Sequence, residues 1–164
     1  MAIRAIRTDE DDILRKTSRP VKEIDDKIIA LLDDMVDTML EKNGVGLAAV
    51  QVGILKRIAV IDAPDNEEFD DDYESDIIEM INPEIIEQNG EVIKLEGCLS
   101  VFNTAGTVSR PEHVKVKFLN RSGKSVTLEA KGYRARAISH EIDHLDGILF
   151  IDRVIEFVDP EEQE

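Results

Sequence analysis

The chain contains a single cysteine, no tryptophan, only 4% aromatic residues and far fewer basic than acidic side chains. One cysteine cannot form an internal disulfide, which excludes a small fold held together by disulfides. With 20 basic and 36 acidic residues the net charge is −16, which disfavours binding to nucleic acid or to an anionic membrane surface. No stretch approaches the roughly 18 apolar residues of a membrane span, and the N-terminus lacks the apolar run of a signal peptide. We therefore expect a cytoplasmic protein.

The length and the hydrophobic content predict one domain over residues 1–164. The chain has 164 residues, of which 42% are hydrophobic, enough to bury a core. No internal repeat and no linker rich in glycine, serine or proline divides it. The mixture of helical and alternating patterns indicates the α+β class, with antiparallel strands packed around a central helix.

Two segments have the apolar spacing of helices. From about Ile24 to Asn43 apolar residues recur on one face and aspartates fill the other, which predicts an N-terminal amphipathic helix. A second helical pattern runs from about Arg134 to Phe150 and is apolar on both sides, as expected of a central element.

Strands are predicted in the remainder of the chain, together with one unstructured loop and a frayed tail at 158–164. Gln88-Asn89-Gly90 and Asn120-Arg121-Ser122-Gly123 each predict a hairpin turn. Segment 65–76 holds eight carboxylates and no basic residue, so that self-repulsion favours a mobile, solvated loop. The predicted strands are Arg57–Ala63, Glu79–Glu87, Glu91–Leu95, His113–Leu119 and Ser125–Ala130.

The segment His140-Glu141-Ile142-Asp143-His144 predicts a metal site. Residues four apart share one face of a helix, so His140 and His144 can bind the same metal ion. Glu141 lies beside them, where it can reach a water on that metal without being a ligand. The alternative is a pair of core histidines that only form hydrogen bonds.

The third ligand is not fixed by this motif. A catalytic site needs three protein ligands and one open position. Zincin peptidases take the third ligand downstream, where Glu156 is the best candidate. Upstream, Cys98 in Glu96-Gly97-Cys98-Leu99-Ser100 offers a thiolate, a strong ligand for borderline-soft metals, although a lone buried cysteine is often only a small apolar residue.

Three segments together resemble the signature motifs of the peptide deformylase family, in the family's order and approximate spacing. They are Gly44-Val45-Gly46-Leu47-Ala48-Ala49-Val50-Gln51, Glu96-Gly97-Cys98-Leu99-Ser100 and His140-Glu141-Ile142-Asp143-His144. The resemblance covers most of the chain, from the first helix to Phe150. The sequence departs from the family at Phe102-Asn103-Thr104, where the residue after Val101 is usually proline.

The resemblance implies a role for each matching residue. Cys98, His140 and His144 would hold one divalent metal, natively Fe²⁺, with Zn²⁺ or Ni²⁺ able to substitute. Glu141 would act as general base and acid. The oxyanion would receive hydrogen bonds from the Gln51 side-chain amide and the Leu99 backbone N–H. Gly46 of the first motif would also be one of the catalytic residues, together with Glu141, Gln51 and Leu99.

The implied reaction is hydrolysis of the formyl group on the N-terminal formyl-methionine of nascent polypeptides, with release of formate. The chain is expected to be a monomer whose contact with the ribosome is at most transient, because its C-terminus is acidic whereas some members dock through a basic extension. Two alternatives stay open. One is a zincin-like endopeptidase that uses Glu156, and the other is a metal-binding protein without catalytic activity.

Overall fold

The computed structural model describes residues 2–69 and 71–158, so positions 159–164 of the predicted frayed tail lie outside the described residues. Within the described residues the chain forms two α-helices, α1 (Asp26–Glu41) and α2 (Gly132–Leu145), and eight strands. The strands are β1 (Gly46–Ala48), β2 (Ile58–Ile61), β3 (Ile78–Asn89), β4 (Val92–Cys98), β5 (Val101–Arg110), β6 (His113–Leu119), β7 (Ser125–Lys131) and β8 (Val154–Val158).

The strands form two antiparallel sheets. One has the order β1-β2-β3-β6-β7 and the other the order β4-β5-β8. Helix α2 contacts β1, β2 and β7 of the first sheet and β5 of the second. The structure therefore has the expected mixture of helices and antiparallel strands, and α2 contacts both sheets. None of the helices in the described parts of the chain is both long and apolar enough to cross a membrane.

One of the two predicted hairpins is wrong. The turn at Gln88-Asn89-Gly90 was expected to pair its flanking strands, but β3 pairs with β2 and β6, whereas β4 pairs with β5 in the other sheet. Gly90 has a φ of 75°, so the Asn-Gly signal does mark a reversal, but a turn signal does not say which strands then pair. The second hairpin is present, with β6 and β7 in register from His113 opposite Lys131 to Leu119 opposite Ser125.

Local chemistry explains where the helices begin and end. Asp25 caps α1 by accepting a hydrogen bond from the Ile28 backbone N–H at 3.0 Å. Helix α2 ends at Leu145, five residues before the predicted Phe150, because Gly147 adopts a φ of 76°. A β-carbon at Gly147 would lie 2.4 Å from the Arg15 carbonyl oxygen, so only glycine fits there.

The acidic loop, segment 65–76, makes specific contacts that a loop shaped by self-repulsion alone would lack. The Asp65 carboxylate accepts a hydrogen bond from the Lys131 backbone N–H at 2.8 Å, and the Tyr73 hydroxyl donates to Asp62 at 2.7 Å. The backbone carbonyl of Asn66 accepts from the N–H of Tyr133 at 2.7 Å. Several other carboxylates of the acidic loop are exposed, so part of the charge of this loop is solvated as expected.

Candidate metal centre

Three potential metal ligands converge between α2 and the end of β4. The sulfur of Cys98 and one ring nitrogen each of His140 and His144 all lie within 4.8 Å of one another. The Cys98 Sγ lies 3.3 Å from the His144 Nε2, which lies 3.2 Å from the His140 Nε2. These are the three residues proposed from the sequence. The structure brings them together although Cys98 lies far from the two histidines in the chain.

The elements of the fold explain this convergence. Histidines 140 and 144 are one turn apart on α2, and both are buried. Cys98 is the last residue of β4, where the chain turns tightly into β5, and it pairs with Val101. Since α2 contacts β5, the turn between β4 and β5 is held beside the helix face that carries the histidines.

The donor set fits a divalent metal. Two ligands held tetrahedrally on one ion at normal bond lengths are roughly 3.3–3.6 Å apart, close to the distances of 3.3 and 3.2 Å that separate the His144 Nε2 from the Cys98 sulfur and the His140 Nε2. Burial lowers the pKa of His140, but the neighbouring Glu141, Cys98 and Glu96 outweigh burial and raise this pKa well above its ordinary value. The surroundings of His140 therefore favour a positive charge, which a metal ion would supply.

A buried carboxylate fixes the orientation of His140. The Nδ1 of His140 lies 2.5 Å from the Glu96 Oε1, which leaves Nε2 free to face the other two ligands. Arg110 donates to both oxygens of Glu96, at 2.7 and 3.2 Å, and Arg136 donates at 2.7 Å. Although burial opposes ionisation, hydrogen bonds from His140 and Arg110 hold the pKa of Glu96 well below its usual range.

The same network reaches the end of α2. Arg110 also donates to Asp143 at 2.6 Å, and Arg153, which precedes β8, donates to both oxygens of Asp143. Glu96, Arg110 and Asp143 thus join β4, β5 and α2 around the ligands. Sequence reasoning did not identify this network. Glu96 and Asp143 lie within the two motifs, which was a usable signal, but nothing in the sequence points to Arg110.

Glu141 lies beside the ligands and is almost fully buried. Its Oε2 lies 4.0 Å from the His140 Nε2, and within the described residues its Oε1 has no hydrogen-bond partner. Burial, only partly offset by His140, raises the pKa of Glu141 to about 7. Gly46 leaves room for this carboxylate, because a β-carbon there would lie 2.6 Å from Oε2. A buried carboxyl group with such a pKa can both accept and release a proton near neutral pH.

The Gln51 side chain is held at both ends. Its Oε1 accepts a hydrogen bond from the Ala48 N–H at 2.9 Å, and its Nε2 donates to the Ser100 hydroxyl at 3.0 Å. This Nε2 also lies 3.6 Å from the Cys98 sulfur, so the amide group faces the ligands. Leu99, the fourth predicted catalytic residue, lines the same pocket as Gly46, Gln51 and Glu141.

Glu156, the ligand required by the zincin-like alternative, is not at this site. It lies exposed on β8, paired with Thr107 of β5, and it is not among the residues whose ligand atoms converge. The structure therefore gives no support to a site completed by Glu156.

A pocket of about 440 Å³ opens onto these residues. Cys98, His140 and Glu141 line it together with apolar side chains, among them Phe69, Leu95 and Tyr133. Sequence reasoning did not place Phe69 or Tyr133 at the site. A possible Cys-His-His metal site beside a buried carboxylate, open to a pocket, is the arrangement that a metal-dependent hydrolase requires.

Comparison with known proteins agrees with this class. The family model for polypeptide deformylase matches residues 3–159. Peptide deformylase from Acetivibrio thermocellus is 55% identical over all of this chain and 91% of its own length, and that from Caldicellulosiruptor bescii is 54% identical over all of this chain and 93% of its length. The chain belongs to the peptide deformylase family.

Solved structures give the same result for the fold. The Met-Ala-Ser-bound class I type b peptide deformylase from Acinetobacter baumannii matches with a TM-score of 0.87 and 39% identity, over 93% of this chain and 99% of that one. Peptide deformylase from Thermotoga maritima matches with a TM-score of 0.85 and 37% identity, over 94% of this chain and 99% of that one.

Proposed function

We propose that this chain removes the formyl group from the N-terminal formyl-methionine of nascent polypeptides and releases formate. The observation that carries the proposal is the convergence of Cys98, His140 and His144 beside the buried Glu141. The family membership and the peptide-bound relative from Acinetobacter baumannii support the choice of substrate.

We infer that Cys98, His140 and His144 hold one divalent metal ion. A bound metal would supply Lewis acidity toward water and toward the carbonyl oxygen of the substrate. One thiolate and two imidazoles suit Fe²⁺, Zn²⁺ and Ni²⁺, and we propose Fe²⁺ as the native ion, with the other two able to substitute. Glu96 contacts the Nδ1 of His140 and so holds the ring with its Nε2 facing the other two ligands.

In this proposal Glu141 moves the protons of the reaction. As a carboxylate it takes a proton from the attacking water, and as an acid it gives that proton to the amine that leaves. Without a metal ion burial raises the pKa of Glu141 to about 7, and a bound cation would shift the group toward the carboxylate that takes the first proton. Among the described residues no group bonds to the Glu141 Oε1, which leaves this oxygen available for the exchange, and Gly46 leaves room for the other oxygen.

Gln51 and Leu99 are proposed to stabilise the charge that develops on the formyl oxygen. The Gln51 amide is fixed by Ala48 and Ser100 and faces the ligands. The backbone N–H of Leu99 would be the second donor. The loss of one donor of this kind typically costs about 10²–10³ in rate. We further propose that the chain acts as a cytoplasmic monomer on peptides leaving the ribosome.

Formate release tests this function. We expect the protein loaded with Fe²⁺ or Ni²⁺ to release formate from formyl-Met-Ala-Ser, and the metal-free protein to release it only after metal is restored. Acetyl-Met-Ala-Ser, which has the same peptide but a different blocking group, serves as the matched control. Cleavage of an internal peptide bond in place of formate release would instead identify an endopeptidase.

A further inference from the structure

The acidic loop brings an aromatic side chain to the pocket. The Phe69 ring lies edge-on to Tyr73 and to Tyr133, with ring centres 5.5 and 5.7 Å apart. Phe69 and Tyr133 line the same pocket as the ligands Cys98 and His140. A segment that its charge alone would leave in solvent therefore supplies part of the wall of the candidate active site.

The first half of this loop is attached to the start of α2. The backbone carbonyls of Pro64 and Asn66 accept hydrogen bonds from the N–H groups of Arg134 and Tyr133, at 2.9 and 2.7 Å. Gly132 makes this approach possible. Its φ is 57°, and a β-carbon there would lie 1.9 Å from the Asn66 carbonyl oxygen. Any larger residue at position 132 would displace the loop.

Further contacts hold the loop on either side of Phe69. Lys94 of β4 donates to the Glu67 carbonyl at 2.7 Å, and its ammonium group lies 4.7 Å from the centre of the Tyr133 ring. On the other side the Tyr73 hydroxyl donates to Asp62 at 2.7 Å, and Ser75 donates to the same carboxylate. The position of Phe69 is thus set by α2, by β4 and by the residues that follow β2.

We propose that Phe69 determines specificity by closing, with Tyr133, the part of the pocket that receives the side chain of the formylated residue. This inference rests on the proposed function. Tyr133 precedes His140 by seven residues of α2, which places it roughly 10 Å away along the helix axis. Phe69, which packs against Tyr133, therefore lies at the end of the pocket away from the histidines, where the side chain of a formylated residue held at the ligands can extend. The two rings therefore limit the length and width of the side chain that fits.

The test compares formate release from formyl-Met-Ala-Ser and formyl-Phe-Ala-Ser by the metal-loaded protein. We expect Phe69→Ala to lower the ratio of the two kcat/KM values, methionine over phenylalanine, by about 10-fold, because removing one wall admits the larger side chain. Phe102→Ala is the matched control, since Phe102 is 87% exposed and lies outside the pocket lining. Gly132→Ala should lower the ratio as well, because it displaces the loop without altering the Phe69 side chain.

Metal content and melting temperature, measured on each variant, show that the site and the fold are intact. A ratio that is equal in wild type, Phe69→Ala and Phe102→Ala overturns the inference. So does an equal change for both peptides in Phe69→Ala, because a wall that selects a side chain must distinguish them. If the wild type releases formate from neither peptide, the proposed function itself fails and the inference falls with it.

Discussion

At the scale of single residues, Glu141 is the group on which the proposed chemistry depends. It is buried beside the ligands and one of its oxygens lacks a partner within the described residues. We expect Glu141→Gln to keep the metal and to lower kcat/KM for formate release by about 10²–10⁴, because the amide keeps the shape but cannot accept a proton. Metal analysis and the formate assay measure the two effects separately.

The control for this substitution is Glu156→Gln, which makes the same chemical change at an exposed position of β8. We expect its metal content and its activity to equal those of wild type. Full activity in Glu141→Gln would remove Glu141 from the reaction, and loss of metal in Glu156→Gln would revive the zincin-like alternative.

The pH dependence of the reaction reports on the same carboxyl group. Burial raises the pKa of Glu141 to about 7, and a neighbouring metal cation would lower it from there. Only the carboxylate can take the proton from water, so kcat/KM should fall as the pH drops through an apparent pKa at or below about 7. A pH–rate profile of the metal-loaded protein measures this. Residual activity of Glu141→Gln that falls in acid at the same apparent pKa as wild type would show that another group is the base.

At the scale of elements, the buried ion network joins β4, β5 and α2 around the ligands. Glu96 accepts hydrogen bonds from Arg110 and Arg136, both of which are buried. We expect Glu96→Gln to lower the free energy of unfolding by about 3–5 kcal/mol, because in this buried site Arg136 loses its paired carboxylate and Arg110 loses one of its two. Glu87→Gln is the control, since its ion pair with Lys115 is long, at 3.8 Å, and exposed.

The same network makes a prediction for acid conditions. The pKa of Glu96 is held below its ordinary value of 4.5 in the folded protein, so its contribution to stability is present above about pH 4.5 and is lost as the pH falls further. Urea unfolding at neutral and acid pH should therefore show the difference between wild type and Glu96→Gln shrinking in acid. A difference that does not depend on pH would contradict the role given to the carboxylate.

The sequence predicts features that depend on residues close together in the chain, and it fails for features that depend on residues far apart in the chain. The α2 motif is predicted because His140 and His144 are related by one helical turn, which is a local property. The pairing of β3 and β4 is predicted wrongly because the Asn89-Gly90 turn is local whereas the choice of partner strand is not. The role of Arg110 is not predicted for the same reason, since only the fold brings this residue to Glu96 and Asp143.

At the scale of the whole molecule, a metal held by β4 and α2 should stabilise the fold. An ion that binds only the native state at about 1,000 times its dissociation constant adds roughly 4 kcal/mol. We therefore expect a strong chelator to lower the melting temperature of the metal-loaded wild type. Cys98→Ala, which lacks one ligand, should melt at the same temperature with and without the chelator. A chelator effect of equal size in both proteins would place the ion elsewhere.

The location of the metal decides whether the three motifs form one site. Crystals of the zinc-loaded protein, measured on both sides of the zinc absorption edge, give an anomalous difference map that shows the ion directly. We predict one strong peak bonded to the Cys98 sulfur and to the Nε2 atoms of His140 and His144, at about 2.3 Å from sulfur and 2.0–2.1 Å from nitrogen. A peak bonded to Glu156, or one that does not contact Cys98, would contradict the assignment of this site.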